Sequence, residues 1–311
     1  MSSTQTIAVV TGGRSGERDR SLLSGRSVRE SLVRQGVPHV VLDPADEHFA
    51  EHVRTADVAF LAIAGQWAED GKLQGLLDSL GVPYTGSGVM ASAVGMHKPT
   101  AKSVVQAAGV PVLPHLLVRG GDDPEAAAKD AVARLGLPVI IKPPSEGGSI
   151  GVLVFRDPVE LAAVLASGGD WLIEPFSSGT AVTCGVITRD GELSALPPLE
   201  TLPTSAEFYD YTAKRDPNGH RYCCPAALSP SVTAAVQQAA LDAHRALDCH
   251  GHSRSDFIVT ESGEVFWLEV NTLPGLSPHG NLATMAHAAG IGYDDLIGLI
   301  LAAAHRPGYR P

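Results

Sequence analysis

A predicted β-hairpin near the end of the sequence constrains both the fold and the chemistry of this chain. Residues 257–259 and 265–267 are apolar or aromatic and flank a short turn that contains a glycine. Glu269 and Asn271 are two residues apart on the second strand, so they lie on the same face of it. Folding back at the turn brings Asp256 close to this pair. Two carboxylates and an amide oxygen suit Mg²⁺ that is shared with phosphate oxygens, although a polar hairpin end facing water would have the same sequence.

Composition excludes several classes of partner. The chain has 311 residues, of which 44% are hydrophobic, and this length suggests two or three domains. Its net charge is −11 and it has no basic run, so we expect no nucleic-acid partner. No apolar run approaches membrane-spanning length, and residues 1–6 contain no signal-peptide pattern, so we expect no membrane partner and a cytoplasmic location.

The four cysteines do not have the spacing of a metal site. Cys184, Cys223, Cys224 and Cys249 form no Cys-x-x-Cys motif of the kind that binds zinc. We interpret the adjacent Cys223 and Cys224 as part of a buried strand rather than as a disulfide. This usage is typical of a reducing cytoplasm.

The first part of the chain alternates short apolar runs with a helical pattern. Residues 7–11, 39–43 and 58–63 are predicted strands with buried apolar centres, and a helix is predicted between the first two. This alternation predicts an α/β domain with a doubly wound, mostly parallel sheet. The Gly-Gly turn after the first strand is a common phosphate position, but it is at least as typical of a structural turn.

Two further regions follow along the chain. A glycine-rich stretch at residues 82–88 leads into a helix of small residues, and residues 99–135 are predicted to be helical. Residues 137–142 form a predicted buried strand, and we interpret this region as a smaller α+β domain. Residues 180–311 carry the hairpin and a predicted long terminal helix.

Lys142 ends an apolar strand, and buried lysines are rare unless they are paired. The loop that follows, Glu146-Gly-Gly-Ser149, can turn several backbone N–H groups towards one anion and can close over a nucleotide. It is not a Walker A loop, but a strand lysine with a glycine-rich flap is another way to hold ATP phosphates. A hairpin turn with a snorkelling lysine is the alternative.

Three later segments have the polarity of a substrate site. Glu174 lies at the end of a predicted strand that can offer backbone groups to an adenine edge, although most such glutamates are solvated. Residues 207–219 have the size and polarity of a lid, in which Lys214 and Arg215 either bind an anion or form an exposed basic corner. The backbone N–H of Gly275 follows the hairpin closely and can point into the same site.

Seven segments in a fixed order carry a resemblance to a known family. They are Gly12-Gly-x-Ser-x-Glu17-Arg18, Glu69-Asp70-Gly71-x-Leu-Gln74-Gly75, Pro83-Tyr-Thr-Gly-Ser-Gly-Val-Met-Ala-Ser92, Lys142-Pro with Glu146-Gly147, Phe208-Tyr-Asp-Tyr-x-Ala-Lys214, Arg254-x-Asp256 and Glu269-x-Asn271-Thr-x-Pro-Gly275. In these segments the chain resembles the D-alanine–D-alanine ligase family of ATP-grasp enzymes, over almost its full length.

The resemblance implies a three-domain ATP-grasp fold. Its domains would be an N-terminal domain at residues 1–96, a central domain with the flap at 97–179, and a C-terminal domain with the lid and hairpin at 180–311. ATP would lie between the last two domains together with two Mg²⁺, for which Mn²⁺ can substitute. A homodimer formed through the N-terminal domain is also implied.

The resemblance also implies roles for single residues. The phosphate-binding lysines would be Lys98, Lys142 and Lys214, the flap residues Glu146, Gly147, Gly148 and Ser149, the adenine contact Glu174, and the metal ligands Asp256, Glu269 and Asn271. Glu17 would receive the ammonium of the first substrate. Arg254 and the backbone N–H of Gly275 would stabilise the oxyanion.

The implied reaction joins two small amino acids in two steps. A substrate carboxylate attacks the γ-phosphorus of ATP to give an acylphosphate and ADP. An amine then attacks the acyl carbon and expels phosphate. The simplest product is D-alanyl-D-alanine, a building block of the peptidoglycan cell wall.

The chain departs from the family pattern around the substrates. The family's histidine, flap serine, lid aromatic residue and second-substrate serine fall on Ala64, Gly148, Arg215 and Gly280, and its ribose-contacting glutamate falls on Ala181. These changes predict a rebuilt pocket, in which Arg215 either pairs with a carboxylate or points to solvent. A ligase with other substrates and a nucleotide-binding regulator without turnover are the alternative functions.

Overall fold

Three β-sheets organise the part of the chain that the computed structural model describes, residues 5–148, 150–203 and 220–305. The N-terminal sheet is parallel, in the order β2-β1-β3, with strands β1 (Ile7–Val10), β2 (His39–Leu42) and β3 (Val58–Leu61). It is accompanied by helices α1 (Arg18–Arg34), α2 (Phe49–Val53), α3 (Lys72–Leu80) and α4 (Val89–Met96). The predicted parallel N-terminal sheet of an α/β chain is therefore confirmed.

The Gly-Gly turn between β1 and α1 is a structural turn. Gly12 and Gly13 have φ values of +88° and +80°, which glycine adopts most readily. The N–H of Gly13 donates to Oδ1 of Asp43 at 2.8 Å, and a Cβ at Gly12 would lie 2.5 Å from the other oxygen of that carboxylate. Because Asp43 occupies the turn, a phosphate has no place there.

The prediction that every N-terminal strand has a buried apolar centre is wrong for β2. The residues of β1 and β3 are buried, but the side chains of Val40 and Val41 are 44% and 48% exposed. The physical reason is what packs on each strand, since β2 and β3 both lie at an edge of this sheet. The side chains of β3 belong to two apolar clusters and Ala59 bridges to Tyr84, whereas Val40 and Val41 belong to neither cluster. An apolar run does not by itself show whether a strand is covered.

The central sheet is antiparallel. Its strands are β4 (Leu116–Val118), β5 (Val139–Lys142), β6 (Leu153–Phe155) and β7 (Trp171–Pro175), in the order β4-β7-β5-β6. Its helices are α5 (Lys98–Ala107), α6 (Pro124–Leu135) and α7 (Pro158–Leu165). The predicted buried strand that ends in Lys142 is confirmed as β5.

Residues 99–135 are not continuously helical as predicted. Helix α5 ends at Ala107, the strand β4 follows, and α6 begins only at Pro124. Pro111 and Pro114 lack the N–H that a helix interior requires, so they keep the intervening segment extended. The Asp123 carboxylate then caps α6 by accepting from two backbone N–H groups.

The C-terminal sheet contains the hairpin. Its strands are β8 (Thr180–Arg189), β9 (Glu192–Ala195), β10 (Leu199–Pro203), β11 (His220–Cys223), β12 (His252–Val259) and β13 (Val265–Asn271), in the order β11-β10-β8-β12-β13 with β9 also on β8. Its helices are α8 (Pro230–Ala246), α9 (Asn281–Ala288) and α10 (Tyr293–Ala302). The predicted long terminal helix is therefore two helices, because Gly290 ends α9 with a φ of +76°.

Two predictions concern the cysteines and the membrane. Cys223 and Cys224 are half-buried rather than buried, and only Cys223 lies in a strand, at the end of β11. All four cysteines are free thiols, in agreement with the prediction that this pair is not a disulfide. Within the described ranges, no helix combines the length and the apolar character needed to cross a membrane.

Two histidines of the C-terminal region are buried and uncharged. Ring atom Nδ1 of His244 lies 2.7 Å from Oγ of Ser253, and His252 is packed beside it. Burial, reinforced by neighbouring histidines, lowers the pKa of His244 to about 4 and that of His252 to about 3. The unfolded chain therefore binds more protons than the folded one once the pH falls below the ordinary histidine pKa of about 6.5.

We therefore expect the free energy of unfolding to decrease as the pH is lowered from 6.5 towards 4. Each of these histidines contributes about 2 kcal/mol of the loss between pH 6.5 and pH 5. Urea denaturation as a function of pH measures the slope, and His244→Gln should flatten it by roughly one proton. The exposed His48→Gln is the matched control and should leave the slope unchanged. An equal slope in all three proteins would contradict this account.

Candidate active site

A cavity of about 480 Å³ is lined by residues from all three parts of the chain. The predicted site residues in its wall are Glu17, Lys98, Lys142, Glu146, Gly147, Gly148, Glu174, Arg254, Asp256, Glu269, Asn271 and Gly275. Ser149, Lys214 and Arg215 lie outside the described residues, as does the rest of the predicted lid. The structure thus brings together all the predicted site residues that lie in its described part. The individual roles of these residues stay predictions.

The register of the hairpin explains why its polar residues converge. Asp256 pairs with Glu269 across β12 and β13, and Arg254 pairs with Asn271. Immediately after Asp256 the register shifts, so that Leu268 is the extra residue of a β-bulge. Bulges re-aim side chains at the edge of a site. The predicted approach of Asp256 to the pair on the second strand is confirmed.

Arg254 and Asp256 form a two-pronged ion pair at the base of the cavity. Nε of Arg254 donates to Oδ1 of Asp256 at 2.9 Å, and Nη2 donates to Oδ2 at 3.1 Å. The hydroxyl of Thr183 donates to the same Oδ1 at 2.7 Å. Burial alone would lower the pKa of Arg254, but Asp256 outweighs it and raises that pKa. The guanidinium is therefore held in one orientation.

The hairpin provides oxygen ligands of the kind that Mg²⁺ prefers. Two carboxylates and one amide face the cavity, and Oδ1 of Asn271 is oriented by the N–H of Leu273 at 2.9 Å. In the described part of the chain there is no group of three or more His, Cys, Asp or Glu side chains that can hold a metal unaided. The set therefore fits a hard cation that completes its shell with water or phosphate oxygens.

Lys98 connects the hairpin to the root of the flap. Its Nζ donates to the carbonyl oxygen of Glu146 at 2.5 Å and lies 3.3 Å from Oε2 of Glu269. The side chain of Gln66 holds the Glu146 carboxylate at 2.7 Å. One buried ammonium thus contacts both edges of the cavity, which is a position suited to an anion between them.

Glu17 also lines the cavity and lies directly before α1. Its carboxylate pairs with Arg20 at 3.3 Å and is approached by two glycines. A Cβ at Gly65 would lie 2.9 Å from Oε2 of Glu17, and one at Gly147 would lie 3.1 Å from it. A side chain at either position would therefore crowd the carboxylate, while Ala64 leaves this part of the cavity without an imidazole.

The segment after the hairpin is fixed to α1. The N–H of Leu276 donates to Oγ of Ser24 at 3.1 Å, which holds the neighbouring Gly275 in the cavity wall. Gly280 also lines the cavity, and a Cβ there would lie 3.0 Å from Oγ of Ser277. A hydroxyl is therefore present at this end of the cavity although residue 280 is a glycine.

Sequence reasoning missed Lys102, which is completely buried. Its Nζ lies 2.6 Å from Oε1 of Glu174, and Lys142 contacts the other oxygen of the same carboxylate. Burial alone would raise the pKa of Glu174, but the two lysines outweigh it and hold that pKa well below its usual range. A signal was available, because Lys102 is one helical turn after Lys98 and shares its face of α5.

Glu69 was also missed as a site residue. It lines the cavity, and its Oε2 accepts from the N–H of Gly65 at 2.5 Å. Burial and the nearby Glu17 carboxylate raise the pKa of Glu69 to about 8. Glu69 therefore stays protonated at neutral pH and adds no second negative charge beside Glu17.

Two family models match the chain. The one described as D-ala D-ala ligase C-terminus matches residues 104–302, and the one described as D-ala D-ala ligase N-terminus matches residues 39–87. The first of these matches alone covers more than half of the chain. The chain belongs to the D-alanine–D-alanine ligase family.

Relatives of known identity cover almost the whole of this D-alanine–D-alanine ligase family member. The D-alanine–D-alanine ligase of Syntrophobacter fumaroxidans is 43% identical over 300 residues, which cover 94% of this chain and 95% of that protein. The D-alanine–D-alanine ligase B of Chromobacterium violaceum is 39% identical, with coverage of 96% and 97%.

Solved structures give the same family assignment. The Bacillus anthracis D-alanine–D-alanine ligase complexed with ATP has a TM-score of 0.83 at 28% identity, covering 96% of this chain and 97% of that one. The VanG D-Ala:D-Ser ligase from Enterococcus faecalis has a TM-score of 0.82 at 26% identity, covering 97% and 99%. The family and the ATP-grasp fold predicted from the sequence are confirmed.

Proposed function

We propose that this family member joins two molecules of D-alanine, converting ATP to ADP and phosphate. One observation carries the proposal: the hairpin oxygens of Asp256 and Glu269 line the same 480 Å³ cavity as Lys98, Lys142 and Glu17. Cations for the phosphates and a carboxylate for a substrate ammonium therefore line one space.

In the proposed first step, Glu17 holds the ammonium of one D-alanine and its carboxylate attacks the γ-phosphorus of ATP. Lys98 and Lys142 neutralise phosphate charge, since phosphoryl transfer needs positioning and charge neutralisation more than covalent help. The products of this step are an acylphosphate and ADP.

In the second step the amine of another D-alanine attacks the acyl carbon, and the C–O bond to phosphate breaks. The oxyanion that develops on the acyl oxygen would be stabilised by Arg254 and the N–H of Gly275. The rigid fork between Arg254 and Asp256 supports this role, because preorganised donors need no rearrangement as charge develops.

The proposal includes two Mg²⁺, replaceable by Mn²⁺, held by Asp256, Glu269 and Asn271 together with the phosphates. Bound there, they would supply further charge neutralisation on the phosphate oxygens. The hard oxygen ligands of the hairpin support this choice of metal.

A second candidate function is a ligase with a different second substrate. Ala64 and Gly280 line the cavity without polar side chains, and the likeness to a D-Ala:D-Ser ligase shows that the fold accepts more than one acceptor. ADP and phosphate release should therefore be measured with a panel of D- and L-amino acids, alone and in pairs, with the product identified by mass.

D-alanyl-D-alanine as the main product is the expected result. A mixed dipeptide as the main product would favour the second candidate. If no ADP forms with any pair, the proposal fails, and nucleotide binding without ADP formation would favour a regulator without turnover.

We also propose the domain division at residues 1–96, 97–179 and 180–311, and a cytoplasmic homodimer that supplies peptidoglycan synthesis. Each of the three sheets falls within one of these ranges.

The exposed apolar side chains of Val33, Val40 and Val41 on the N-terminal domain support a dimer surface there. Val41→Lys should shift the protein from dimer to monomer in analytical ultracentrifugation; a wild-type monomer would contradict this.

A further inference from the structure

Three charged side chains, Lys142, Glu174 and Lys102, form two consecutive ion pairs in the wall of the cavity. Lys142 contacts the Glu174 carboxylate from the cavity side, where its own side chain is 11% exposed. Lys102 contacts the same carboxylate from within the protein, 2.6 Å away, and neither of these two inner side chains reaches solvent. Lys142 is thus accessible to a ligand, whereas Lys102 lies behind Glu174.

These three side chains together carry a net positive charge, since two are lysines and one is a glutamate. In the described part of the chain, Glu174 is the only carboxylate within 4.0 Å of either lysine Nζ. The carbonyl oxygen of Trp267 lies 3.4 Å from Nζ of Lys102, and the indole ring centroid lies 5.9 Å from it. The Glu269 carboxylate acts on both lysines from farther away. Two ammonium groups therefore share one contacting carboxylate in a nearly dry place, which favours the approach of an anion to the accessible one.

The sharing matters when Lys142 binds a phosphate. When Lys142 turns to an anion in the cavity, it gives up part of its contact with Glu174. A buried carboxylate left without a partner is strongly unfavourable, so a simple Lys142–Glu174 pair would resist the exchange. A second lysine that keeps its contact with Glu174 would remove this cost.

We propose that Lys102 is a positioning residue for nucleotide binding, which keeps Glu174 paired from behind while Lys142 turns to a nucleotide phosphate. The inference rests on the proposed use of ATP and goes beyond it, since Lys102 does not line the cavity. Burial lowers the pKa of Lys102, Glu174 opposes this, and the charge of Lys142 adds to it. Movement of Lys142 towards a phosphate therefore strengthens the remaining pair.

The test is the binding of ADP with Mg²⁺ to Lys102→Met, measured by isothermal titration calorimetry, together with steady-state kinetics. We expect the Kd for ADP and the KM for ATP to rise about tenfold, with kcat within about threefold of the wild type. Lys129→Met, which removes an exposed lysine of α6, is the matched control and should change none of these values.

A second pair of variants separates positioning from simple support of the fold. In a Glu174→Gln background no carboxylate needs a partner, so adding Lys102→Met should change the Kd for ADP by less than about threefold. A tenfold loss in both backgrounds would overturn the proposal. The comparison also decides the matter if Lys102→Met alone does not fold, because the double variant leaves no buried carboxylate unpaired.

The failure of this inference can be told apart from failure of the proposed function. A wild-type protein that binds neither ADP nor ATP would refute the use of ATP itself. A wild-type protein that binds ADP normally, with Lys102→Met binding it equally well, would overturn only the role of Lys102.

Discussion

Glu269→Gln is expected to lower kcat roughly 10³-fold, because it removes one of two carboxylates that would hold the metal against the phosphates. The fold should be preserved, since the Glu269 side chain is 32% exposed and contacts Lys98 at the open edge of the cavity. The Mg²⁺ concentration that gives half-maximal rate should rise as well. Phosphate release with D-alanine and ATP, titrated with Mg²⁺, measures both effects.

The same hairpin offers a matched control. Glu264 lies at the opposite end, in the turn, where its carboxylate accepts from the hydroxyl of Ser262 at 3.0 Å. Glu264→Gln should therefore leave both kcat and the Mg²⁺ dependence unchanged. If Glu269→Gln also keeps the wild-type Mg²⁺ dependence, the hairpin does not bind the catalytic metal.

Arg254→Met is expected to lower kcat by about 10²- to 10³-fold, since it removes one of two proposed oxyanion donors. It should also lower the free energy of unfolding by about 2 kcal/mol, because Asp256 loses its charged partner and, within the described part of the chain, keeps only the Thr183 hydroxyl. Arg254→Lys keeps the positive charge but loses the two-pronged contact with Asp256. Its kcat should therefore lie between those of the wild type and Arg254→Met. Kinetics and urea denaturation of the three proteins test both parts.

Arg245→Met is the control for the loss of an arginine. Arg245 lies near the end of α8, where it is exposed and pairs with Asp242 at 3.2 Å. Surface pairs of this kind contribute little, so its loss should change stability by less than about 0.5 kcal/mol and leave kcat unchanged. Wild-type kcat in both Arg254 variants would exclude Arg254 from the reaction.

Prediction from the sequence was most successful where the determining contacts are local. The hairpin between β12 and β13 has a short turn with a glycine, and the spacing of Glu269 and Asn271 alone places them on one face. The parallel N-terminal sheet was predictable for a similar reason, because its apolar runs alternate with a helical pattern. The resemblance to the family rests on such short segments, and each of them can be recognised in the sequence without knowledge of its tertiary contacts.

Prediction was wrong where the environment of a segment comes from elsewhere in the chain. Val40 and Val41 look like core residues, but among the described residues they belong to neither of the apolar clusters that bury β3. The segment before α6 is extended rather than helical as predicted, since it contains Pro111 and Pro114 and pairs with a strand that lies far along the chain. The sequence of the Gly-Gly turn fits both a phosphate site and a structural turn. The hydrogen bond from Gly13 to Asp43 shows that it is a structural turn.

By itself the sequence determined the family and its ATP-dependent ligase chemistry, since seven short segments in a fixed order resemble D-alanine–D-alanine ligases. Only the tertiary structure decided which side chains and backbone groups contact the charged residues of the site. Lys102 on α5 pairs with Glu174 on β7, and Glu17 lies beside Gly65 and Gly147, across separations that no local pattern encodes. The physical reason is that the state of a buried charge depends on distant partners, whereas the face of a strand depends on its own spacing.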